Sequence, residues 1–171
     1  MRFLHTSDWH LGRALHGESL LDAQRAFVDF LVDTVRDRSV DAVLVAGDLY
    51  DRAIPAVYAV ELFDDALSAL AELRVPVVLI GGNHDSPARI SFGSRLMDHA
   101  GVHLRTDVST IDTPIVFTDY HGPVAVYAIP YLEPQLTWEK LGADTSSHAA
   151  VLQAAGDRVR AHAMAAGYDR T

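Results

Sequence analysis

Three short apolar runs in the first half of the chain are separated by amphipathic stretches. The runs are residues 2–7, 41–47 and 76–81, and the stretches between them are residues 19–38 and 56–72. The apolar residues of the two stretches recur at the spacing of a helix. Strands that are apolar almost throughout are typical of a parallel sheet covered by helices. The order therefore predicts an α/β fold with a mostly parallel central sheet.

Both predicted helices have an apolar stripe that we expect to face this sheet, and Ser19 is a plausible N-cap for the first helix. The residues expected to point inward are Leu20, Ala23, Phe27, Phe30 and Leu31 in the first helix, and Val60, Phe63, Leu67 and Leu70 in the second.

The second half of the chain predicts smaller elements. Turn residues and short apolar runs indicate a short helix over 89–100, a strand over 102–105 and a hairpin from 114–119 and 123–132, turned at 121–123. The Ala-rich segment 146–171 favours a helix.

The composition restricts the kinds of site that the chain can build. It has no cysteine among its 171 residues, which excludes disulfides, thiolate zinc sites and cysteine nucleophiles. Any metal ion must therefore be held by histidine, carboxylate, amide or water. The formal net charge of -9 argues against broad DNA binding by charge alone.

No apolar run approaches the roughly 18 residues of a membrane helix, and polar residues come too early at the N-terminus for a signal peptide. We therefore expect one cytoplasmic domain with no membrane contact.

Each of the three apolar runs ends in polar residues. In an open α/β sheet, ligands bind beyond the carboxyl ends of the strands, so the three clusters are expected to meet. Each residue alone would be read as a turn former or helix cap, but together they suit divalent ions such as Mn, Fe or Zn, with Mn favoured by the share of oxygen ligands. Gly47, Gly81 and Gly82 would allow the tight turns. The polar residues are Asp8, His10, Asp48, Asp51, Asn83, His84 and Asp85.

These clusters carry a resemblance. The segments DWH (8–10), GDLYD (47–51) and GNHD (82–85) are similar to the Asp-x-His, Gly-Asp-x-x-Asp/Arg and Gly-Asn-His-Asp/Glu motifs of the calcineurin-like metallophosphoesterases. Together with AIPYLEP (128–134), they resemble the SbcD-type nuclease subunits of bacterial DNA repair complexes. The resemblance covers about residues 2–134 and implies a layered α/β/β/α sandwich.

The resemblance also implies a site with two divalent metal ions, Mn²⁺ being the expected ion. Asp8 and His10 would hold one ion, Asp48 would bridge both, and Asn83 would bind the second. Such an ion pair activates a water molecule for attack on a phosphoester.

The same comparison implies catalytic roles for two further residues. His84 would be free of metal and would protonate the leaving oxygen or stabilise the scissile phosphate, while Asp85 would hold the His84 ring in orientation. Asp51 could contact a metal-bound water, order its loop or be a simple turn carboxylate.

The chain departs from the family in its later histidines. Family members add a histidine after a lone glycine and a Gly-His-x-His pair, whereas His121 precedes its glycine, and His148 and His162 fall in predicted helix. We therefore expect residues 1–171 to be the N-terminal part of the nuclease domain, with an incomplete sheet, and with lower activity than a longer chain on linear duplex DNA with Mn²⁺.

The resemblance implies DNA as substrate, a homodimer in the full-length protein and an SbcC-type ATPase as partner. Two alternatives stay open at this point. One is a phosphodiesterase or phosphatase for small substrates such as cyclic nucleotides, and the other is a non-catalytic scaffold that binds DNA ends.

Overall fold

A sheet of four strands forms the centre of the first part of the chain. The computed structural model describes residues 1–171 and divides them into two compact units, Met1–Leu104 and Arg105–Thr171. The sheet strands are β1 (Phe3–Thr6), β4 (Ala42–Ala46), β5 (Val77–Ile80) and β6 (Val102–Arg105), with β2 (Ala14–Leu15) and β3 (Glu18–Ser19) in a small separate hairpin. The helices of this unit are α1 (Leu21–Asp37), α2 (Val57–Glu72), α3 (Pro87–Ile90) and α4 (Ser94–His99).

The strand order in the central sheet is β1-β4-β5-β6. β4 runs parallel to both neighbours, with Thr6 opposite Val45 and Ala46 opposite Ile80. The prediction of an α/β fold with a parallel central sheet is therefore confirmed, and the sheet is open rather than closed into a barrel. Because the three strands run in one direction, their carboxyl ends lie at one edge.

α1 and α2 cover this sheet, and the predicted stripes were partly wrong. Phe30, Ala23 and Val60 are exposed rather than buried. The buried face of α1 is instead offset and includes the polar residue Gln24. The buried residues are Gln24, Val28, Leu31 and Val35 in α1, and Ala59, Leu62, Phe63, Ala66, Leu67 and Leu70 in α2.

Several boundaries differ from the predicted ones for local reasons. The N-cap position of α1 is Leu20, not Ser19, although the Ser19 hydroxyl accepts a hydrogen bond from the Leu21 N–H at 3.2 Å. The helix predicted over 89–100 is two short helices, because Gly93 adopts a left-handed φ of 74° between them. The small β2–β3 hairpin was not predicted, since two-residue strands leave no periodic signal.

The second unit contains an antiparallel hairpin and two helices. β7 (Ile115–Asp119) pairs with β8 (Gly122–Val126), and α5 (Pro134–Leu141) precedes α6 (His148–Ala166). The predicted hairpin and the helical tail are confirmed, although β8 ends earlier than predicted and α5 was not predicted. A second core is built from Ile111, Leu132, Ala143, Val151 and Ala155.

α6 has a well-defined start and end. The Ser147 hydroxyl accepts from the Ala150 N–H, and Gly167 closes the helix with φ of 72°. His148 and His162 lie on this helix, as predicted. No helix of the chain combines the length and the apolar character needed to cross a membrane.

Candidate metal centre

The loops after β1 and β4 continue the parallel pairing beyond the ends of the strands. The Asp8 N–H donates to the Gly47 carbonyl at 3.1 Å, and the His10 N–H donates to the Asp48 carbonyl at 2.9 Å. Leu11 then donates to the Leu49 carbonyl at 3.0 Å. The two motifs therefore lie side by side because their main chains are hydrogen-bonded, not because their side chains attract each other.

Three of the predicted ligand residues have an unusual backbone. Asp8, His10 and Asp48 have φ values of 56°, 44° and 48°, in the left-handed region that residues with a Cβ occupy rarely. Conformations of this kind cost of order 1–3 kcal/mol each and cluster at functional sites. Here the three residues lie in the loops after β1 and β4, where their side chains come close together.

Two glycines allow the loops after β4 and β5 to approach closely. A Cβ on Gly82 would overlap the main-chain nitrogen and the Oδ1 atom of Asp48. A Cβ on Gly47 would lie 3.0 Å from the Gly82 Cα, and Gly47 has φ of 84°. The predicted need for glycine at these two positions is confirmed, because only a residue without a side chain leaves room for Asp48.

Carboxylates and imidazoles converge where these loops meet. His10, Asp48 and His84 offer ligand atoms that all lie within 4.8 Å of one another. The His10 Nε2 atom is 3.7 Å from Asp8 Oδ1 and 3.7 Å from Asp48 Oδ2. Ligands about 2.1 Å from one ion stand roughly 3.0–3.4 Å apart. The separations of His10 Nε2 from Asp8 Oδ1 and from Asp48 Oδ2 are therefore only slightly longer than those around a bound divalent cation.

The His10 ring supports the same conclusion. Its Nδ1 atom is buried and has no hydrogen-bond partner. Buried polar atoms are nearly always paired, and an unpaired one calls for an explanation. A role of His10 as a metal ligand would explain it. An ion bound at Nε2 would leave the proton of the neutral ring on Nδ1, which faces the Asp51 carboxylate at 3.5 Å. The residues present therefore fit a divalent ion.

His84 is the third member of this group and is held through its main chain and its ring. Its N–H donates to Asp48 Oδ1 at 3.0 Å, and its Nδ1 atom is 2.9 Å from the Asp51 carbonyl oxygen. A carbonyl oxygen can only accept, so Nδ1 carries the proton and Nε2 is the unprotonated nitrogen of the neutral ring. The His84 and His10 rings meet edge to face at 4.8 Å.

The predicted contact between Asp85 and the His84 ring is wrong. Both Asp85 oxygens are buried and accept from main-chain N–H groups, at 3.0 Å from Leu49, 3.0 Å from Tyr50 and 2.9 Å from Gly82. The Asp51 carbonyl takes the place that was predicted for Asp85. The sequence could not show this, because the loop path that brings residues 49 and 50 around Asp85 is a tertiary feature.

This arrangement agrees with a comparison with known protein families. Residues 1–150 match the family model described as calcineurin-like phosphoesterase. The chain belongs to the calcineurin-like phosphoesterase family. Metal-dependent hydrolysis of phosphoesters is the general activity of such a domain, so a hydrolase with a divalent-metal site is what the match and the geometry support together.

The remaining predicted ligands of this phosphoesterase lie at the same edge of the sheet. Asp8 is largely exposed, and its carboxylate faces His10. Asn83 is exposed in the loop between Gly82 and His84. Their assignment as ligands stays a prediction.

One feature of the phosphoesterase centre escaped the sequence analysis. Gln24 on α1 is buried, accepts from the Gly12 N–H at 3.1 Å and donates to the His10 carbonyl at 2.7 Å. It thereby fixes the loop that carries His10. A glutamine on the buried stripe of a helix was the available signal. Trp9, between Asp8 and His10, is buried against Phe27 and Phe63.

Asp51 is a residue of the second polar cluster for which the sequence left three roles open. Its carboxylate lies 3.5 Å from His10 Nδ1, 3.8 Å from Arg13 Nε and 3.8 Å from Arg52 Nε. Both arginine side chains are mostly exposed, 51% and 77%, whereas Asp51 is 18% exposed. The rim of a centre rich in carboxylates therefore carries two cationic groups that are open to solvent.

Proposed function

We propose that this phosphoesterase is a DNA nuclease, the metal-dependent subunit of an SbcC/SbcD-like complex that processes double-strand breaks and hairpins. Family membership supports phosphoester hydrolysis in general. The choice of DNA rests on the extended resemblance of residues 2–134 to SbcD-type nucleases and on the arginines at the rim of the centre.

Each residue of the centre has a role in this proposal. Asp8, His10, Asp48 and Asn83 hold two divalent ions, with Mn²⁺ the expected species. A bound ion pair of this kind supplies an activated water and neutralises the charge that builds on the phosphoryl group. His84 presents Nε2 to the substrate, because Nδ1 is engaged by the Asp51 carbonyl.

The observation that carries the proposal is the placement of Arg13 and Arg52 on Asp51, next to the ligand cluster. Guanidinium groups are common contacts of nucleic-acid phosphates. A substrate with phosphates on both sides of the scissile bond would engage the centre and the arginines at once. A lone phosphomonoester would use only the centre.

The test is cleavage of linear duplex DNA by the 171-residue chain in Mn²⁺, compared with its Asp48→Asn variant. We expect slow DNA hydrolysis by the unchanged chain and its loss in the variant, since a bridging carboxylate is removed. Asp98→Asn, at a carboxylate outside the centre, is the control and should leave the rate unchanged. Equal cleavage by the Asp48 variant would contradict the proposal.

A hydrolase for small phosphodiesters is the second candidate, and the net charge of -9 favours it because a polyanion is repelled at long range. Hydrolysis of bis-p-nitrophenyl phosphate without any cleavage of DNA would select this candidate. A non-catalytic scaffold would instead be indifferent to Asp48→Asn in DNA-end binding and would hydrolyse neither substrate.

We also propose two partners for the full-length protein, an SbcC-type ATPase that contributes to the grip on DNA and a second copy of itself. An apolar groove of about 410 Å³ in the first unit supports the homodimer. Ile54, Val60 and Phe92 line it and are exposed, and Phe92 is 88% accessible to solvent. Asp64 and Arg89 also line this groove.

A further inference from the structure

We propose that Gln24 of α1 is a positioning residue of the metal centre, because its buried amide group holds the turn that presents His10 to the ion. The inference deepens the proposed function and rests on its metal centre, not on DNA as the substrate. It gives a role in ion binding to a helix from which no ligand was predicted.

The turn in question spans residues 10–13. The Arg13 N–H donates to the His10 carbonyl at 3.0 Å, which closes the turn. Gly12 is its third residue and has φ of 90°, the positive value that a type II turn requires at this position. The predicted ligand His10 and the rim residue Arg13 therefore stand at the two ends of one tight turn.

The side-chain amide of Gln24 pairs with two main-chain groups of this turn. Its Oε1 atom accepts from the Gly12 N–H at 3.1 Å, and its Nε2 atom donates to the His10 carbonyl at 2.7 Å. The side chain is only 8% exposed, so solvent has little access to take its place. A buried N–H group that loses its partner is costly. The turn therefore depends on this amide.

The start of α1 is bonded to the same turn through its main chain. The Leu20 N–H donates to the Arg13 carbonyl at 3.1 Å, and the Gln24 N–H donates to the Leu20 carbonyl at 2.9 Å. Together with the amide bond to the His10 carbonyl, these contacts form a closed ring of hydrogen bonds. The first turn of α1 and the turn that carries His10 are therefore held together as one unit.

His10 needs such support because of its backbone conformation. Its φ of 44° lies in the left-handed region, which a residue with a Cβ keeps only when its surroundings hold it there. The bond from Gln24 Nε2 acts on the carbonyl of this same residue. Without it, the His10 backbone is free to relax, and its ring would turn away from Asp8 and Asp48. We therefore expect Gln24 to act on metal affinity through the main chain of His10.

The first experiment measures Mn²⁺ binding to the 171-residue chain by titration calorimetry, with no substrate present. Gln24→Met keeps an unbranched side chain but loses both hydrogen bonds. It should lower the Mn²⁺ affinity by about 10-fold, the lower end of the range for losing a partner behind a metal ligand. Gln24→Asn keeps the amide but is one methylene shorter, so it cannot reach both main-chain groups. It should change the affinity in the same direction, and it decides the test if Gln24→Met does not fold.

Thr137→Val is the matched control for a loss of stability. Thr137 is also buried, at 6% exposure, and its hydroxyl donates to the Glu133 carbonyl at 2.8 Å in the second unit. This variant should unfold at a lower urea concentration than the unchanged chain but bind Mn²⁺ equally well. A similar loss of Mn²⁺ affinity in Thr137→Val and Gln24→Met would reduce the effect to general destabilisation and overturn the positioning role.

The second experiment follows amide hydrogen exchange by NMR in the absence of metal. The Gly12 amide should exchange at least about 10-fold faster in Gln24→Met than in the unchanged chain, because a local opening no longer has to break its bond. The Asp8 and Leu11 amides donate to the carbonyls of Gly47 and Leu49 and should keep their protection. A residue that served only overall stability would change all three amides together.

The outcomes separate this inference from the proposed function. An unchanged chain that binds no Mn²⁺ would overturn both. If the unchanged chain binds Mn²⁺ and the Gln24 variants bind it equally well, or if the Gly12 amide keeps its protection in Gln24→Met, the role of Gln24 is overturned while the metal centre stands.

Discussion

At the scale of single residues, Gly82 is the position where the smallest change should have a large effect. Its Cα lies so close to Asp48 that any side chain would displace the predicted bridging carboxylate. The close approach also lets the His84 N–H reach Asp48 Oδ1. The geometry of the centre therefore depends on an absent side chain as well as on the ligands themselves.

We predict that Gly82→Ala lowers the free energy of unfolding by about 1–3 kcal/mol, the usual cost of overpacking, and weakens Mn²⁺ binding. Gly156→Ala is the matched control. A Cβ there meets only the flexible end of Arg160, and alanine in a helix interior gains up to about 1 kcal/mol over glycine. Denaturant unfolding and calorimetry measure both effects, and an unperturbed Gly82→Ala protein would contradict the close contact.

Tyr50 is a second residue with a measurable signature. Burial of its hydroxyl, with the nearby charges of Asp85 and Asp64, raises the pKa of Tyr50 to about 12. Between pH 10 and 12 the unfolded chain therefore releases a proton that the folded chain keeps, so the unfolded state is favoured as pH rises. Below pH 10 both states are protonated and the effect vanishes.

We predict that the free energy of unfolding falls more steeply above pH 10 in the unchanged protein than in Tyr50→Phe, by about 1.4 kcal/mol per pH unit. Phenylalanine keeps the edge-to-face packing of ring 50 on Phe63, at 5.3 Å. Unfolding curves in urea at several pH values check this. Parallel pH dependence in the two proteins would show that Tyr50 does not titrate with a raised pKa.

At the scale of elements, α2 stabilises the part of the sheet that carries the metal centre. Its buried face shares one hydrophobic core with the strands that lead into the ligand loops. Leu70 is completely buried in this helix, whereas Val57 at its start is 75% exposed. We predict that Leu70→Ala costs about 2–5 kcal/mol of stability. Val57→Ala should stay within about 0.5 kcal/mol, as expected of an exposed site. Similar losses in chemical denaturation would contradict the packing of α2.

The elements also show what sequence alone can predict. The strands of the central sheet and the positions of the polar clusters were predictable, because buried parallel strands are apolar throughout and their ligands follow the carboxyl ends. The orientation of α1 was not, since its buried face includes Gln24, whose amide satisfies main-chain groups of the His10 loop. Hydrophobicity alone predicted that Phe30 would face the core. The two hydrogen bonds of Gln24 to the His10 loop instead favour the orientation in which Gln24 is buried and Phe30 is exposed.

The metal centre, too, could be predicted from the sequence only in part. The motif residues of β1, β4 and β5 could be placed at one edge of the sheet from their spacing. The partners of Asp51 and Asp85 could not, because each carboxylate bonds to a loop distant in sequence. The GNHD motif suggested that Asp85 would hold the His84 ring in orientation. A buried carboxylate instead accepts hydrogen bonds from whichever N–H groups surround it.

At the scale of the whole molecule, the proposed homodimer predicts a change in mass. Phe92→Glu would place a charge in the apolar groove of the first unit, and in the full-length protein it should convert a dimer into a monomer in light scattering after gel filtration. Tyr120→Glu is the control, because Tyr120 is equally exposed, at 97%, but lies in the second unit and outside the groove. A Phe92→Glu protein of unchanged mass would exclude this groove as the dimer contact.

Asp85 has a consequence for the exchange of ions. Its carboxylate accepts hydrogen bonds from the main-chain N–H groups of Leu49, Tyr50 and Gly82. These bonds connect the loops after β4 and β5 without the help of a metal ion. The loops that carry the ligands are thus arranged by folding itself, so the entropic cost of ordering them is met before any cation arrives. A chelator should then empty the centre without unfolding the chain. A preorganised site of this kind would let the chain exchange one divalent cation for another, so we expect the bound ion to follow the ion supply of its surroundings.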